Sequence, residues 1–288
     1  MSPSRSDALV STQWLAEHLA APDVRVVDAS YTLDPTRDIA AEYRERHIPG
    51  AVFLDIDAVA DTSVALPHTM PAAEVFASKV RALGLGDGTH VVVYDSNGGA
   101  MAACRAWWMF RVFGHRAVSV LDGGLPKWLR EDRPVSDMPP IPGPRHFTAR
   151  MDTTLLRTAA GVLAAVESNR EQIVDARPAG RFAGRDPEPR PVPRRGRVPG
   201  SLNLPFADLF DAETQTLLPD GVLRDRFATA GVDLTKPLTA TCGSGITACT
   251  IALAAHVLGK SDVAVYDGSW AEWSLDEGLP LETDLASA

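Results

Sequence analysis

The sequence predicts an α/β protein made of two tandem domains, each a mainly parallel sheet flanked by helices. Three observations carry that expectation. The 288 residues exceed the ~100–200 usual for one domain. Matched segments recur about 147 positions apart, so the chain is written twice. Within each copy short apolar strands alternate with helix-like runs, the pattern of parallel sheets covered on both faces.

Val24-Arg-Val-Val-Asp28 reads as a short buried strand ending in an acid, and Gln172-Ile-Val-Asp175 repeats it 147 positions later. In each copy a basic stretch then closes on Pro-Gly and a small apolar segment. These are His47-Ile-Pro-Gly-Ala51 before Val52-Phe53, and Arg197-Val-Pro-Gly-Ser201 before Leu202-Asn203-Leu204. Next, Val91-Val-Val-Tyr-Asp95 leads through Ser96-Asn-Gly-Gly into a helical run from Ala100 to Phe113. Its counterpart is Leu238-Thr-Ala-Thr-Cys242, followed by Gly243-Ser-Gly and a run from Thr247 to Leu258. Both copies close on a strand and a Trp-bearing turn, Val118 to Trp128 and Val263 to Trp273. The period is far longer than a solenoid unit, which implies duplication of a whole domain. The division expected is 1–133 for the first domain, a Pro-rich linker over 134–150, and 151–288 for the second. The prolines from Pro134 to Pro144 suit a semi-rigid spacer. At the aligned centre the first copy has Asp95 where the second has Cys242, so only the second offers a thiol.

Composition excludes several function classes. A hydrophobic fraction of 45% and a charged fraction of 23% are those of a globular protein. A formal charge of −9 argues against nucleic-acid binding, which usually needs a basic face. No stretch approaches ~18 uninterrupted apolar residues, so no membrane association is expected. Met1 to Ala20 has no apolar signal core, and Asp7 and Glu17 argue against a transit peptide; the expected location is cytoplasmic. The three cysteines, Cys104, Cys242 and Cys249, form no closed set of pairs and no Cys-x-x-Cys, so neither a disulfide framework nor a metal site is expected. Cys104 and Cys249 lie within apolar helical runs and read as packing residues.

Cys242-Gly-Ser-Gly-Ile-Thr247 sits where a buried strand ends and a helix begins, the place where open α/β sheets put their ligands. Gly243 and Gly245 permit backbone conformations that let successive N–H groups turn inward around one atom. With the positive end of the following helix, this should lower the thiol pKa and stabilise a thiolate or persulfide. Two other loop chemistries fail on residue type. A phosphate-binding P-loop needs Gly-Lys-Ser/Thr, and no lysine is present. A cysteine phosphatase loop closes on an arginine, and Ala248 stands there instead.

The duplicated domain, the cysteine loop and the paired Trp turns resemble the tandem rhodanese family over about Val24 to Leu279. That resemblance implies two tandem rhodanese-like domains, the second catalytic. Within the family, Cys-Gly-Ser-Gly-Val-Thr is similar to the mercaptopyruvate branch, whereas the thiosulfate branch carries basic residues after its cysteine. Ile246 for Val is the one departure in the loop.

By the same resemblance, Arg181 and Arg190 match the pair that holds the substrate carboxylate and ketone. Guanidinium forks suit a planar 2-oxo acid. They lie in a stretch from Arg177 to Arg197 with seven arginines against Asp186 and Glu188, which reads as an anion-steering patch. Arg185, Arg194 and Arg195 read as solvated. Asp55-Ile-Asp57 and Pro67-His68 resemble the family's acid and histidine, implying a relay of Asp57, His68 and Ser244. The substrate-binding set is completed by Gly243, Gly245, Ile246 and Thr247. The implied activity is transfer of sulfane sulfur from 3-mercaptopyruvate through a Cys242 persulfide, with no cofactor. The acceptor is thioredoxin, another thiol, or cyanide. A thiosulfate:cyanide sulfurtransferase and a non-catalytic persulfide carrier are the alternatives.

Overall fold

Five consecutive strand positions, His90 to Tyr94, place four apolar side chains in full burial; a strand covered on both faces needs this continuous rather than alternating pattern. The computed structural model, which describes residues 5–98 and 101–284, sets that strand at the centre of a five-stranded sheet. The first copy runs α1 (Arg5–Ala8), β1 (Leu9–Val10), α2 (Thr12–His18), β2 (Val24–Asp28), α3 (Ile39–Glu45), β3 (Val52–Phe53), α4 (Ile56–Val59), α5 (Ala73–Ala82), β4 (His90–Tyr94), α6 (Met101–Val112), β5 (Val118–Leu121) and α7 (Gly124–Arg130). The second runs β6 (Leu156–Arg157), α8 (Ala159–Ser168), β7 (Gln172–Asp175), α9 (Ala179–Phe182), β8 (Leu202–Asn203), α10 (Asp220–Thr229), β9 (Leu238–Thr241), α11 (Ala248–Val257), β10 (Ala264–Tyr266) and α12 (Ser269–Trp273).

The two sheets are the same object twice. Their orders are β1-β5-β4-β2-β3 and β6-β10-β9-β7-β8, and every pairing between these strands is parallel. In each, the chain starts at one edge, crosses to the strand beside the centre and on to the far edge, then returns through the central strand to close against the first. A crevice therefore opens beyond the strand ends where β2 meets β4, and where β7 meets β9.

Local chemistry fixes the helix starts. The side chains of Ser11, Asp38 and Asp55 accept from backbone N–H groups of Trp14, Ala41 and Asp57, capping α2, α3 and α4. Asp55 is thus a cap, which leaves Asp57 as the acid free to act elsewhere. The run expected from Ala100 begins, among the described residues, at Met101; Ala100 itself lies outside them.

From Ala102 to Val112, and from Ala248 to Val257, every residue is buried. Helices buried on every face belong inside a protein, even where, as in α6, two arginines are enclosed with the apolar residues, and α6 and α11 pack on each other. One continuous core joins Val91, Val93, Trp107 and Trp108 of the first copy to Ala240, Cys242, Leu253 and Val265 of the second. Cys104 and Cys249 sit in it, and burial pushes both thiols well above their ordinary range, as inert packing residues require.

The proline segment is fastened down rather than free. Ser136 bridges to His47, the His146 carbonyl accepts from the Asp87 N–H at 2.8 Å, and Phe147 is buried against Phe76 and Phe110. A second tie crosses between the copies: Arg5 bonds to Asp220 at 2.9 Å and to the Leu218 carbonyl. No helix among the described residues is long and apolar enough to cross a membrane.

Candidate active site

Strand β9 ends at Thr241, and Cys242 is the first residue past it. Its carbonyl accepts from Trp270 N–H at 3.0 Å, and that of Gly243 from Ala271 N–H at 2.8 Å, so both oxygens are held toward α12. Among the described residues none accepts from the backbone N–H groups of Gly243 to Thr247, which remain available to an anion at the loop centre. Helix α11 follows directly, with Thr247 at its N-cap. The Cys242 N–H donates to Ser269 Oγ at 3.2 Å, and that hydroxyl, bonded to the Tyr266 carbonyl at 2.7 Å, lies 4.0 Å from Sγ.

The two loop glycines serve different ends. Gly245 has φ +79°, and a Cβ there would meet the Asp267 carbonyl at 2.6 Å. Gly243 does not need the left-handed region. A Cβ on it would stand 2.7 Å from Arg181 Nη2, so its task is to let that guanidinium approach.

Cys242 is 1% exposed, yet it lines a cavity of about 210 Å³ shared by both domains. Arg181, Arg190, Gly243, Ser244, Ile246 and Thr247 join it from the second copy, and Tyr31, Leu33, Asn97 and Met101 from the first. Two larger cavities, about 510 and 610 Å³, lie on the first domain and have no cysteine or histidine in their walls, so neither competes as a nucleophile's site.

His68 arrives from the first domain. Its Nδ1 is 3.2 Å from Ser244 Oγ and 3.3 Å from the Ser244 carbonyl, and its Nε2 is 3.2 Å from Asp57 Oδ1. In one tautomer Nδ1 accepts from the Ser244 hydroxyl while Nε2–H donates to Asp57; in the other Nδ1–H donates to the carbonyl. The hydrogen bond from His68 holds the Asp57 carboxyl below its ordinary range, against the opposing effect of burial. His68 has φ +60°, an uncommon region for a side chain with a Cβ, and its carbonyl accepts from Arg105 Nη2 at 2.5 Å. Arg105, fully buried on α6, also donates to the Gly245 carbonyl at 3.2 Å and pairs with Asp267 at 2.8 Å. One guanidinium thereby fixes the histidine, the cysteine loop and the end of β10. Arg105, Asp267 and Ser269 carry no motif in the sequence.

The arginines divide unequally. Arg177 is buried in ion pairs with Asp175 at 2.7 Å and Glu188 at 2.6 Å. Arg181 donates its Nε to the other Glu188 oxygen at 2.8 Å, and Nη2 bonds it as well. Arg197 pairs with Asp284 at 2.7 Å. The anion-steering patch is therefore largely neutralised from within, because carboxylates before and after the counted window fold back onto it. Arg194 is not solvated: it donates to the carbonyls of Trp273, Ser274, Asp276 and Leu279 and ties down the end of α12. Arg185 and Arg195 are exposed. Arg190 is the one that reaches across, with Nη2 at 2.6 Å from Tyr31 Oη and 3.3 Å from His68 Nε2.

The corresponding loop of the first copy is already occupied by its own side chain. The Asp95 carboxylate is fully buried and accepts from the N–H groups of Asn97, Ala102 and Ala103 at 3.1–3.2 Å. Burial raises its pKa to about 6, against the pull of those bonds.

Comparison with known proteins agrees with the duplicated architecture. The rhodanese-like domain model matches twice, over residues 11–131 and 158–276. The chain is 48% identical over 278 residues to the 3-mercaptopyruvate sulfurtransferase of Homo sapiens, covering 94% of this chain and 93% of the human one. It is also 48% identical over 272 residues to the thiosulfate sulfurtransferase of Bos taurus, covering 92% and 91%. The crystal structure of the 3-mercaptopyruvate enzyme SseA from Escherichia coli superposes with a TM-score of 0.84 at 39% identity, over 91% of this chain and 98% of that one. On these matches, and on two copies of one five-stranded parallel sheet with a cysteine loop at the mouth of the second, the chain belongs to the rhodanese-like family.

Proposed function

We propose that this protein is a 3-mercaptopyruvate sulfurtransferase. The observation that carries the reading is a serine in the cysteine loop, Ser244, whose hydroxyl lies 3.2 Å from the imidazole of the opposite domain. Overall identity does not choose the donor, since relatives of both names match equally well. The chemistry of the two donors does differ. Thiosulfate releases sulfite, a stable anion, whereas cleaving a carbon–sulfur bond leaves an enolate that must gain a proton. A hydroxyl positioned by a histidine suits the second case and is idle in the first.

In the proposed reaction the Cys242 thiolate attacks the sulfur of 3-mercaptopyruvate. The carbon–sulfur pair leaves with carbon as the enolate of pyruvate, and the Ser244 hydroxyl gives that carbon its proton. The proton carried by the transferred sulfur then restores Ser244 through His68. The net change is thiolate and mercaptopyruvate to a Cys242 persulfide anion and pyruvate, with atoms and charge balanced. The free N–H groups of the loop and the helix start at Ala248 stabilise that anion. Arg190 and Arg181 hold the carboxylate and ketone. A cavity of about 210 Å³ fits a three-carbon acid better than the ~300–1,000 Å³ of drug-sized ligands. A thiol such as thioredoxin, or cyanide, takes the sulfur. Three unpaired thiols fit a reducing compartment such as the cytoplasm.

The test is steady-state pyruvate release from 3-mercaptopyruvate beside thiocyanate formation from thiosulfate and cyanide. Preference for 3-mercaptopyruvate is expected. Cys242→Ser should abolish both, and intact mass should show one added sulfur on the wild type alone. Faster thiosulfate turnover would favour the other donor, and sulfur mapped to Cys249 would remove Cys242 from its role. Uptake of sulfur without multiple turnover would make the protein a carrier.

A further inference from the structure

Tyr31 stands three residues past β2, in the first domain, and its ring enters the cavity that holds Cys242 and Ser244. It is held from two sides. Its carbonyl accepts from Asn97 Nδ2 at 2.5 Å, Asn97 Oδ1 accepts from Arg37 Nη1 at 2.9 Å, and Arg37 is fixed by Glu42 at 2.8 Å. Its ring meets the His68 imidazole edge-on, at 5.0 Å and 85°. A side chain so constrained presents its hydroxyl at a defined point. That oxygen accepts from Arg190 Nη2 at 2.6 Å. A phenol uses a lone pair for such a bond and keeps its own proton to donate. The cationic partner makes that proton a stronger donor.

We infer that the Tyr31 hydroxyl is the specificity-determining donor of this site: it hydrogen-bonds the ketone oxygen of a 2-oxo acid and selects such donors over inorganic sulfane sulfur. The inference rests on the mercaptopyruvate reading. When the carbon–sulfur bond breaks, its electron pair passes to the carbon and delocalises onto the ketone oxygen, where negative charge grows only in the transition state. A donor aimed there stabilises that state more than the ground state, and so acts on kcat. Thiosulfate has no ketone oxygen, and its electron pair leaves on sulfite. Burial raises the phenol above its ordinary pKa, against the opposing charge of Arg190, so at neutral pH the proton is present to be donated.

Tyr31→Phe tests this, because it keeps the ring against His68 and removes only the hydroxyl. With 3-mercaptopyruvate, kcat should fall about tenfold or more while KM changes less than about threefold. The ratio of kcat/KM for 3-mercaptopyruvate to that for thiosulfate should fall about tenfold. If the wild type releases no pyruvate, the functional reading fails and takes the inference with it. If the wild type releases pyruvate and Tyr31→Phe matches it, the Tyr31 assignment alone is overturned. A rise in KM shared by both donors, with kcat intact, also overturns it, because Tyr31 would then only position Arg190.

Discussion

Removing the relay one member at a time should produce a graded loss, with the grading set by burial. The His68 side chain is fully enclosed, while the Asp57 side chain keeps 59% of its surface exposed at 3.2 Å from it. A pair with one partner so exposed contributes about 0–1 kcal/mol, so Asp57→Asn should lower kcat for 3-mercaptopyruvate no more than about fivefold. The contact between His68 and Ser244 is partly buried at 3.2 Å, and positioned proton transfer contributes roughly 10²–10⁴-fold; Ser244→Ala and His68→Ala should each cost at least about 100-fold. The double variant should be no worse than the poorer single one, since the two act as a unit. Asp57 is held below the ordinary carboxylate range, so it stays ionised throughout neutral pH and adds no titration of its own to the pH–rate profile between about pH 5 and 8. The assay is pyruvate release beside thiocyanate formation from thiosulfate. Losses that multiply in the double variant, or fall equally on both donors, would refute the relay and leave these residues as interface contacts.

Three further outcomes follow from the geometry. Arg190→Ala, which removes the guanidinium nearest Tyr31 and His68, should lower kcat/KM by about 30- to 160-fold, or roughly 2–3 kcal/mol; Arg181→Ala should cost less, because Glu188 already balances that charge. Equal losses in steady-state assays would contradict that division. Arg105→Met leaves the mostly buried Asp267 carboxylate without its cationic partner, with only the Met70 N–H still donating to it, and should destabilise by about 3 kcal/mol, lowering the melting temperature by ~6–12 °C in calorimetry. An unchanged melting temperature would mean the pair is not structural. Asp95 binds its proton more tightly folded, at about 6, than its ordinary 3.8, so its contribution is full below pH ~4 and is lost as pH rises through 6. Asp95→Asn should remove that slope from denaturant-derived stability between pH 4 and 6, and a wild-type slope that persists in the variant would exclude Asp95 as its source.

The sequence carried the fold further than it carried the site. Asp28, Asp175, Asp95 and Cys242 terminate equivalent strands, and their constant spacing foretold two sheets of one topology. Edge strands β1 and β6 escaped notice because two residues are too short to show a period. The chemical groups Cys242, Ser244, Arg181, Arg190, Asp57 and His68 were legible through motif and family likeness, and the structure brings all six together. Counting charge between Arg177 and Arg197 misjudged the patch, because Asp175, Glu282 and Asp284 lie outside that window and find their arginines only in the fold. Tyr31, Arg105 and Ser269 were illegible for a similar reason: each acts across the domain boundary or between distant loops, and no local pattern marks such a contact.

The single planar group of Arg105, bonded at once to the carbonyls of His68 and Gly245, ties the histidine of one domain to the cysteine loop of the other. Sulfur chemistry here is consequently a reporter of domain alignment. A hinge opening of one or two ångströms would leave every helix and strand intact, yet it would part imidazole from hydroxyl. Under mild heating or denaturant, activity should therefore vanish before the circular dichroism of either sheet changes, and neither domain expressed alone should regain it.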